Sequence, residues 1–158
     1  KAPSVIRNKN EFRMYYTRFS KSESRIFTSL SYDGFNWLHS SECEDLCSGN
    51  GFVYNPNVMK IVDGGIRMYF TERPHALSPL GARINSAISY DNIHWERENG
   101  VRIGPGTAYD CHGIFNVDIV SIDSGYRMYY TGYWGRHLLE PLTLRYYRKK
   151  IEKPVLWG

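Results

Sequence analysis

The chain has 158 residues, enough for one domain with a real hydrophobic core. Its net charge is +4, and the densest basic run, Arg145 to Lys153, alternates with Tyr and Ile, the pattern of a solvated strand face rather than a nucleic-acid patch. Three cysteines are too few for a disulfide framework, and no apolar run approaches the ~18 residues of a membrane span.

The first predicted unit opens with a strand at Pro3 to Arg7 and a turn at Asn8-Lys9-Asn10. Phe12 to Thr17 alternates with period two, placing Phe12, Met14 and Tyr16 on one face and Arg13, Tyr15 and Thr17 on the other. A polar loop over 18–24 leads to a third strand, Arg25 to Tyr32. Asp33-Gly34 marks a hairpin, and Asn36-Trp37-Leu38 begins a fourth strand. A long loop, 40–54, closes the unit.

The second unit repeats this order. Strands are predicted at Asn57 to Val62, Ile66 to Thr71, Arg83 to Tyr90 and His94 to Glu96, with turns at 63–65 and 91–93 and a long loop over 72–82. In the third unit, after a loop over 97–116, the strands are Val117 to Ile122, Tyr126 to Thr131, Leu142 to Arg148 and Ile151 to Trp157. The turn at 123–125 and a turn at Lys149-Lys150 separate them, and a loop covers 132–141.

Arg-Met-Tyr-aromatic-Thr occurs three times, beginning at Arg13, Arg67 and Arg127. Ser31-Tyr32-Asp33-Gly34-Phe35-Asn36-Trp37 returns as Ser89-Tyr90-Asp91-Asn92-Ile93-His94-Trp95 and is missing from the third unit. Near-identity at a spacing of roughly 55 residues marks an internal repeat, and four antiparallel strands per repeat describe a propeller blade. The chain is therefore expected to be all-β and a single propeller-type domain, with blades at about 3–54, 55–116 and 117–158. A β-sandwich is the rival, but it does not explain the fixed spacing.

In such a blade the short turns share one rim and the long loops share the other, where sites are usually built. That rim holds the candidate residues. Asp118, Glu72 and Asp110 are the candidate catalytic carboxylates, with Glu44 and Asp45 behind them. Asn57, Arg73, His75, His112, Trp134 and Arg136 are candidates for binding sugar hydroxyls or faces. Glu72 could donate a proton if its pocket raised its pKa. Asp33 and Asp91 read instead as turn caps, with Trp37 and Trp95 packed between blades. Cys43-x-x-x-Cys47 with His39 lacks a fourth ligand for a tetrahedral metal site, and no metal or cofactor is expected.

The repeated Arg-Met-Tyr-Tyr-Thr, together with Arg25-Ile26, Arg83-Ile84, Asp33-Gly34, Trp37 and Trp95, resembles the five-bladed β-propeller glycosidases: arabinanase and β-xylosidase-like enzymes, invertase and levansucrase relatives, and mannoside phosphorylases. The resemblance covers about residues 3–132. It implies carboxylates around a central funnel, acting on glycosidic bonds, with carbohydrate as the partner. The family's innermost strands often begin Asp-Pro-x-Val. Here the equivalent stretches read Pro3-Ser4-Val5, Pro56-Asn57-Val58 and Val117-Asp118-Ile119, and only Asp118 keeps an acid. A glycoside hydrolase or phosphorylase, a non-catalytic glycan- or protein-binding propeller, and an inactive piece of a longer glycosidase all fit. Three blades leave open edge strands, so either the ring continues in a longer chain or copies assemble, for instance as a two-fold dimer giving six blades.

Overall fold

The computed structural model describes residues 1–47, 51–73, 80–123, 125–134 and 147–149. The described residues form eleven strands and no helix. The first blade is β1 (Ser4–Asn8), β2 (Glu11–Phe19), β3 (Ser24–Ser31) and β4 (Leu38–Glu42), paired antiparallel in chain order. The second is β5 (Phe52–Lys60), β6 (Ile66–Arg73), β7 (Arg83–Ser89) and β8 (Glu96–Arg97). The third contains β9 (Gly113–Ile122), β10 (Gly125–Tyr133) and β11 (Tyr147–Lys149).

The repeat is in register. The tyrosine of each motif copy pairs with the same inner-strand position: Tyr15 with Ser4, Tyr69 with Asn57, and Tyr129 with Asp118. Successive blades touch through parallel bridges at equivalent places, Ser24 to Phe52 and Ala82 to Gly113, and Glu44 to His94 adds another between the first two. The two equivalent bridges join the start of a third strand to the start of the next inner strand.

Because strand side chains alternate, the middle motif copy, on β6, serves two interfaces. Tyr15 points towards the second blade and packs with Ile26, Val58, Met68, Phe70 and Trp95. Tyr69 points towards the third blade and packs with Ile84, Ile114, Val117 and Met128. The Tyr face of one blade thus meets the Met-aromatic face of the next. Trp95 stands edge-on to Tyr15, with centroids 5.7 Å apart, and the Tyr15 hydroxyl donates to Asn92 Oδ1 at 2.7 Å. Asn92 tolerates its left-handed φ of 73° as a short polar residue in a turn.

The expected turn caps are present. Asp33 Oδ1 accepts the amides of Phe35 and Asn36, and Asp91 Oδ1 accepts those of Ile93 and His94. Trp95 is buried between blades as expected, whereas Trp37 is only half-buried. Cys43 is buried in the same core, where desolvation pushes its thiol up to about 12.

Several boundaries differ from expectation. β5 begins at Phe52 rather than Asn57, and β9 at Gly113 rather than Val117, so the loops before them are shorter. The cause is a bulge within each inner strand. Register shifts fall between Tyr54 and Asn57 on β5, and opposite Tyr130/Thr131 on β9. Asn55 (φ 54°) and Asn116 (φ 47°) absorb the extra residue, and Ala2 (φ 49°) holds the equivalent place before β1. Lys149 lies in β11 opposite Tyr130, not in a turn. The expected strand Ile151 to Trp157, and most of Leu142 to Arg148, lie outside the described residues.

Candidate functional site

The inner strands β5 and β9 run side by side, and their bulges aim amide and carboxylate side chains at one another. Asn57 Nδ2 donates to Asp118 Oδ1 at 2.9 Å, and Asn55 Nδ2 donates to Asn116 Oδ1. Two candidates, Asn57 and Asp118, therefore meet. Asp118 is exposed and Asn57 half-buried, so the pair faces solvent along the inner edge of the blades. In the first blade Ser4 holds the same position, and its Oγ accepts the Val58 amide at 3.1 Å.

Beside this pair lies a chain of aromatic rings that crosses all three blades. Phe19 contacts Tyr54 at 6.0 Å between centroids, Tyr54 contacts Phe115 at 6.4 Å, Phe115 contacts Tyr133 at 6.2 Å, and Tyr133 contacts His112 at 5.9 Å. Tyr54 and Phe115 immediately precede the bulge asparagines. The rings therefore sit one residue beyond the amides, at the long-loop end of the inner strands. The Lys1 ammonium lies over the outermost ring, Phe19. Trp134, at the end of β10, is partly exposed. The Arg73 guanidinium stacks on Phe52 at 4.3 Å. His75 and Arg136 lie outside the described residues.

The other two candidate acids are built into the scaffold. Glu72 is 2% exposed on the face of β6 that meets the first blade. Arg97 Nη1 reaches Oε1 at 3.0 Å and Arg83 Nη2 reaches Oε2 at 3.0 Å, while Asn85 Nδ2 donates to Oε2 at 2.6 Å. Burial pushes the Glu72 pKa upwards, but the hydrogen bonds and charges of Arg97 and then Arg83 outweigh it, and the net shift is downwards. The raised pKa that proton donation would require is thus not found at Glu72. Arg97, which the sequence did not flag, also donates to the Leu46 carbonyl and ties the second blade to the first.

Asp110 closes a turn of its own loop. Its Oδ1 accepts the amides of Thr107 (2.6 Å) and Gly106 (3.1 Å), and its Oδ2 accepts the Tyr130 hydroxyl at 2.9 Å. Burial raises its pKa, but these donors outweigh it and hold the carboxyl below its usual range. Tyr130 is pushed up to about 12, first by burial and then by its bond to Asp110. His112 anchors this loop to its neighbours: its amide donates to the Tyr133 carbonyl, and its carbonyl accepts the Gly81 amide.

The bulge asparagines and the ring chain were missed in the sequence, although a signal was there. Tyr54-Asn55-Pro56-Asn57 aligns with Phe115-Asn116-Val117-Asp118 as aromatic-Asn-x-amide or acid.

No family model matches the chain, and no curated protein matches it in sequence. Solved structures match it in fold. The N-acetylgalactosamine deacetylase of F. plautii, in complex with blood group B trisaccharide, aligns with a TM-score of 0.71 at 14% identity, over 84% of this chain and 40% of its own. Zg3597, a family 117 glycoside hydrolase of Zobellia galactanivorans, gives 0.66 at 16% identity, over 85% and 48%. A thermostable family-43 glycoside hydrolase gives 0.66 at 17% identity, over 82% and 45%. The fold is that of the β-propeller glycosidases. The chain spans less than half the length of each of these three propellers.

Proposed function

We propose that this propeller binds a glycan at the inner-strand rim, with Asp118 as the central hydrogen-bond acceptor. The observation that carries the reading is the Asn57–Asp118 pair, set beside the Asn55–Asn116 pair and a run of aromatic rings. Sugars present ring hydroxyls that need paired donors and acceptors, and C–H faces that pack on aromatic rings. An amide-carboxylate cluster next to aromatic side chains offers both. The known propellers that share the fold include glycoside hydrolases.

Binding is favoured over hydrolysis by one chain alone. Cleavage needs two carboxyl groups, roughly 5–5.5 Å apart for retention or 6.5–9.5 Å for inversion. Glu72 and Asp110 are each engaged by several donors and held ionised, which suits neither for proton donation. Calorimetric titration with a panel of neutral oligosaccharides tests the reading. One class should bind, and Asp118→Asn should weaken it at least about tenfold, or ~1.4 kcal/mol. Absence of binding across the panel, or binding indifferent to both Asp118→Asn and Asn57→Ala, sinks it. Turnover of aryl glycosides that disappears in Asp118→Asn would replace binding by hydrolysis.

A further inference from the structure

The two copies of the seven-residue turn signature fold into the same hydrogen-bond network with one partner exchanged. Asp33 Oδ1 accepts the Ser31 hydroxyl and the amides of Phe35 and Asn36. Asp91 Oδ1 accepts the Ser89 hydroxyl and the amides of Ile93 and His94. The second carboxylate oxygen goes to the side chain three residues on from the aspartate. In the first blade Asn36 Nδ2 donates to Asp33 Oδ2 at 2.7 Å, and in the second His94 Nδ1 meets Asp91 Oδ2 at 2.6 Å. Asparagine therefore satisfies this turn fully. What histidine adds is a second ring nitrogen and a charge that changes near neutral pH.

That second nitrogen reaches the other blade. His94 Nε2 lies 3.6 Å from Glu44 Oε2. Glu44 belongs to residues 43–47, which follow β4 and lie against the second blade. The Glu44 amide donates to the Ile93 carbonyl at 2.8 Å, the Leu46 carbonyl accepts Arg97, and Cys43 and Leu46 are buried with Trp95. The ionisable groups around the ring are Asp91 of its own turn, Glu44 and Asp45 of the first blade's segment, and Tyr90 and Glu96, which line the same cleft. Its charged neighbours are thus acidic. The hydrogen bond and charge of Asp91 raise His94 above the ordinary imidazole range, and Glu44 and Asp45 add to the rise.

We propose that His94 is a proton-operated clasp between the first and second blades, holding residues 43–47 through Glu44 when charged and releasing them when neutral. The imidazolium donates from both nitrogens, Nδ1 to Asp91 and Nε2 towards Glu44. In the neutral ring Nδ1 keeps its proton for Asp91, and Nε2 turns a lone pair to the Glu44 carboxylate. Attraction across the interface becomes repulsion while the turn itself is unchanged. The folded-state pKa lies above the unfolded one, so the clasp is complete below the unfolded value of ~6.5 and is lost as pH rises through the folded value. Both partners are more than half exposed, so the effect is local and is screened by salt.

Nuclear magnetic resonance on the full chain tests the clasp. The His94 imidazole, identified as the resonance lost in His94→Asn, should titrate above the ordinary range. Over the same pH interval the protection of the Glu44 amide against hydrogen exchange, corrected for the intrinsic rate, should fall about two- to fivefold. His94→Asn keeps the turn, as Asn36 does, and should show no such step. Glu44→Gln keeps the bond to Asp91, and should bring the His94 titration down and abolish the step at the position 44 amide. Added salt should shrink the step in the unsubstituted chain. A His94 that titrates at or below the ordinary value, protection that stays flat through its titration, or a step that persists in either variant overturns the proposal.

Discussion

Glu72 shows how a residue that reads as catalytic becomes structural through partners distant in sequence. Its carboxylate is almost wholly buried, while Arg83 and Arg97 remain partly exposed and can turn to water if it is lost. Glu72→Gln should therefore cost about 2 kcal/mol, the loss of charged hydrogen bonds rather than the stranding of a buried cation. The pH dependence follows in sign. The folded-state pKa lies below the unfolded one, so this contribution is complete above the unfolded value of roughly 4.3 and is lost as pH falls through the folded value. Urea midpoints for wild type should drop as the medium is acidified below that point. Those of Glu72→Gln should drop less. Equal slopes would mean that Glu72 is not the charged hub its geometry describes. Position 72 invites a catalytic reading because it lies on the long-loop rim at a strand exit. Nothing local announces that Arg97 will fold against it.

At the scale of elements, strands and turns were legible where side chains alternate and turn residues punctuate, as at Phe12 to Thr17 and Asp33-Gly34. The starts of two inner strands, β5 and β9, were not, because the extra residue at Asn55-Pro56 and at Asn116 breaks the alternation. In the structure a bulge absorbs Pro56, whose missing amide costs nothing outside the regular ladder. That bulge and its counterpart on β9 bring Asn55 and Asn116 together, so one oversight hid both a boundary and part of the proposed site. The loop before β9 supplies the next prediction. Gly132 lies beneath it, and a Cβ there would stand 2.8 Å from the Tyr109 carbonyl oxygen and 2.9 Å from Asp110 Cβ. Both obstacles belong to the Asp110 turn, so backbone has to move. Gly132→Ala should lift this turn from β10 and cost about 1–3 kcal/mol. Hydrogen exchange should accelerate at the Gly106 and Thr107 amides, which donate to Asp110. Unchanged protection there would show that the loop does not depend on close approach to β10.

At the scale of the molecule, a repeat identifies equivalent positions but not which copies are buried. Trp37 and Trp95 end the same seven-residue signature and invite the same interblade reading. The difference between them is topological. Trp95 has a blade in front of it, filled by Tyr15, and Trp37 begins the described array. Identical substitutions should therefore diverge. Trp95→Ala empties a fully packed site between two blades and should cost about 3–5 kcal/mol, with loss of cooperativity between the blades. Trp37→Ala should cost less, about 1–2 kcal/mol, since its side chain is only partly packed, within one blade. Chemical denaturation at low protein concentration compares the two directly. Equal costs would mean that Trp37 is as closely packed within its own blade as Trp95 is between two.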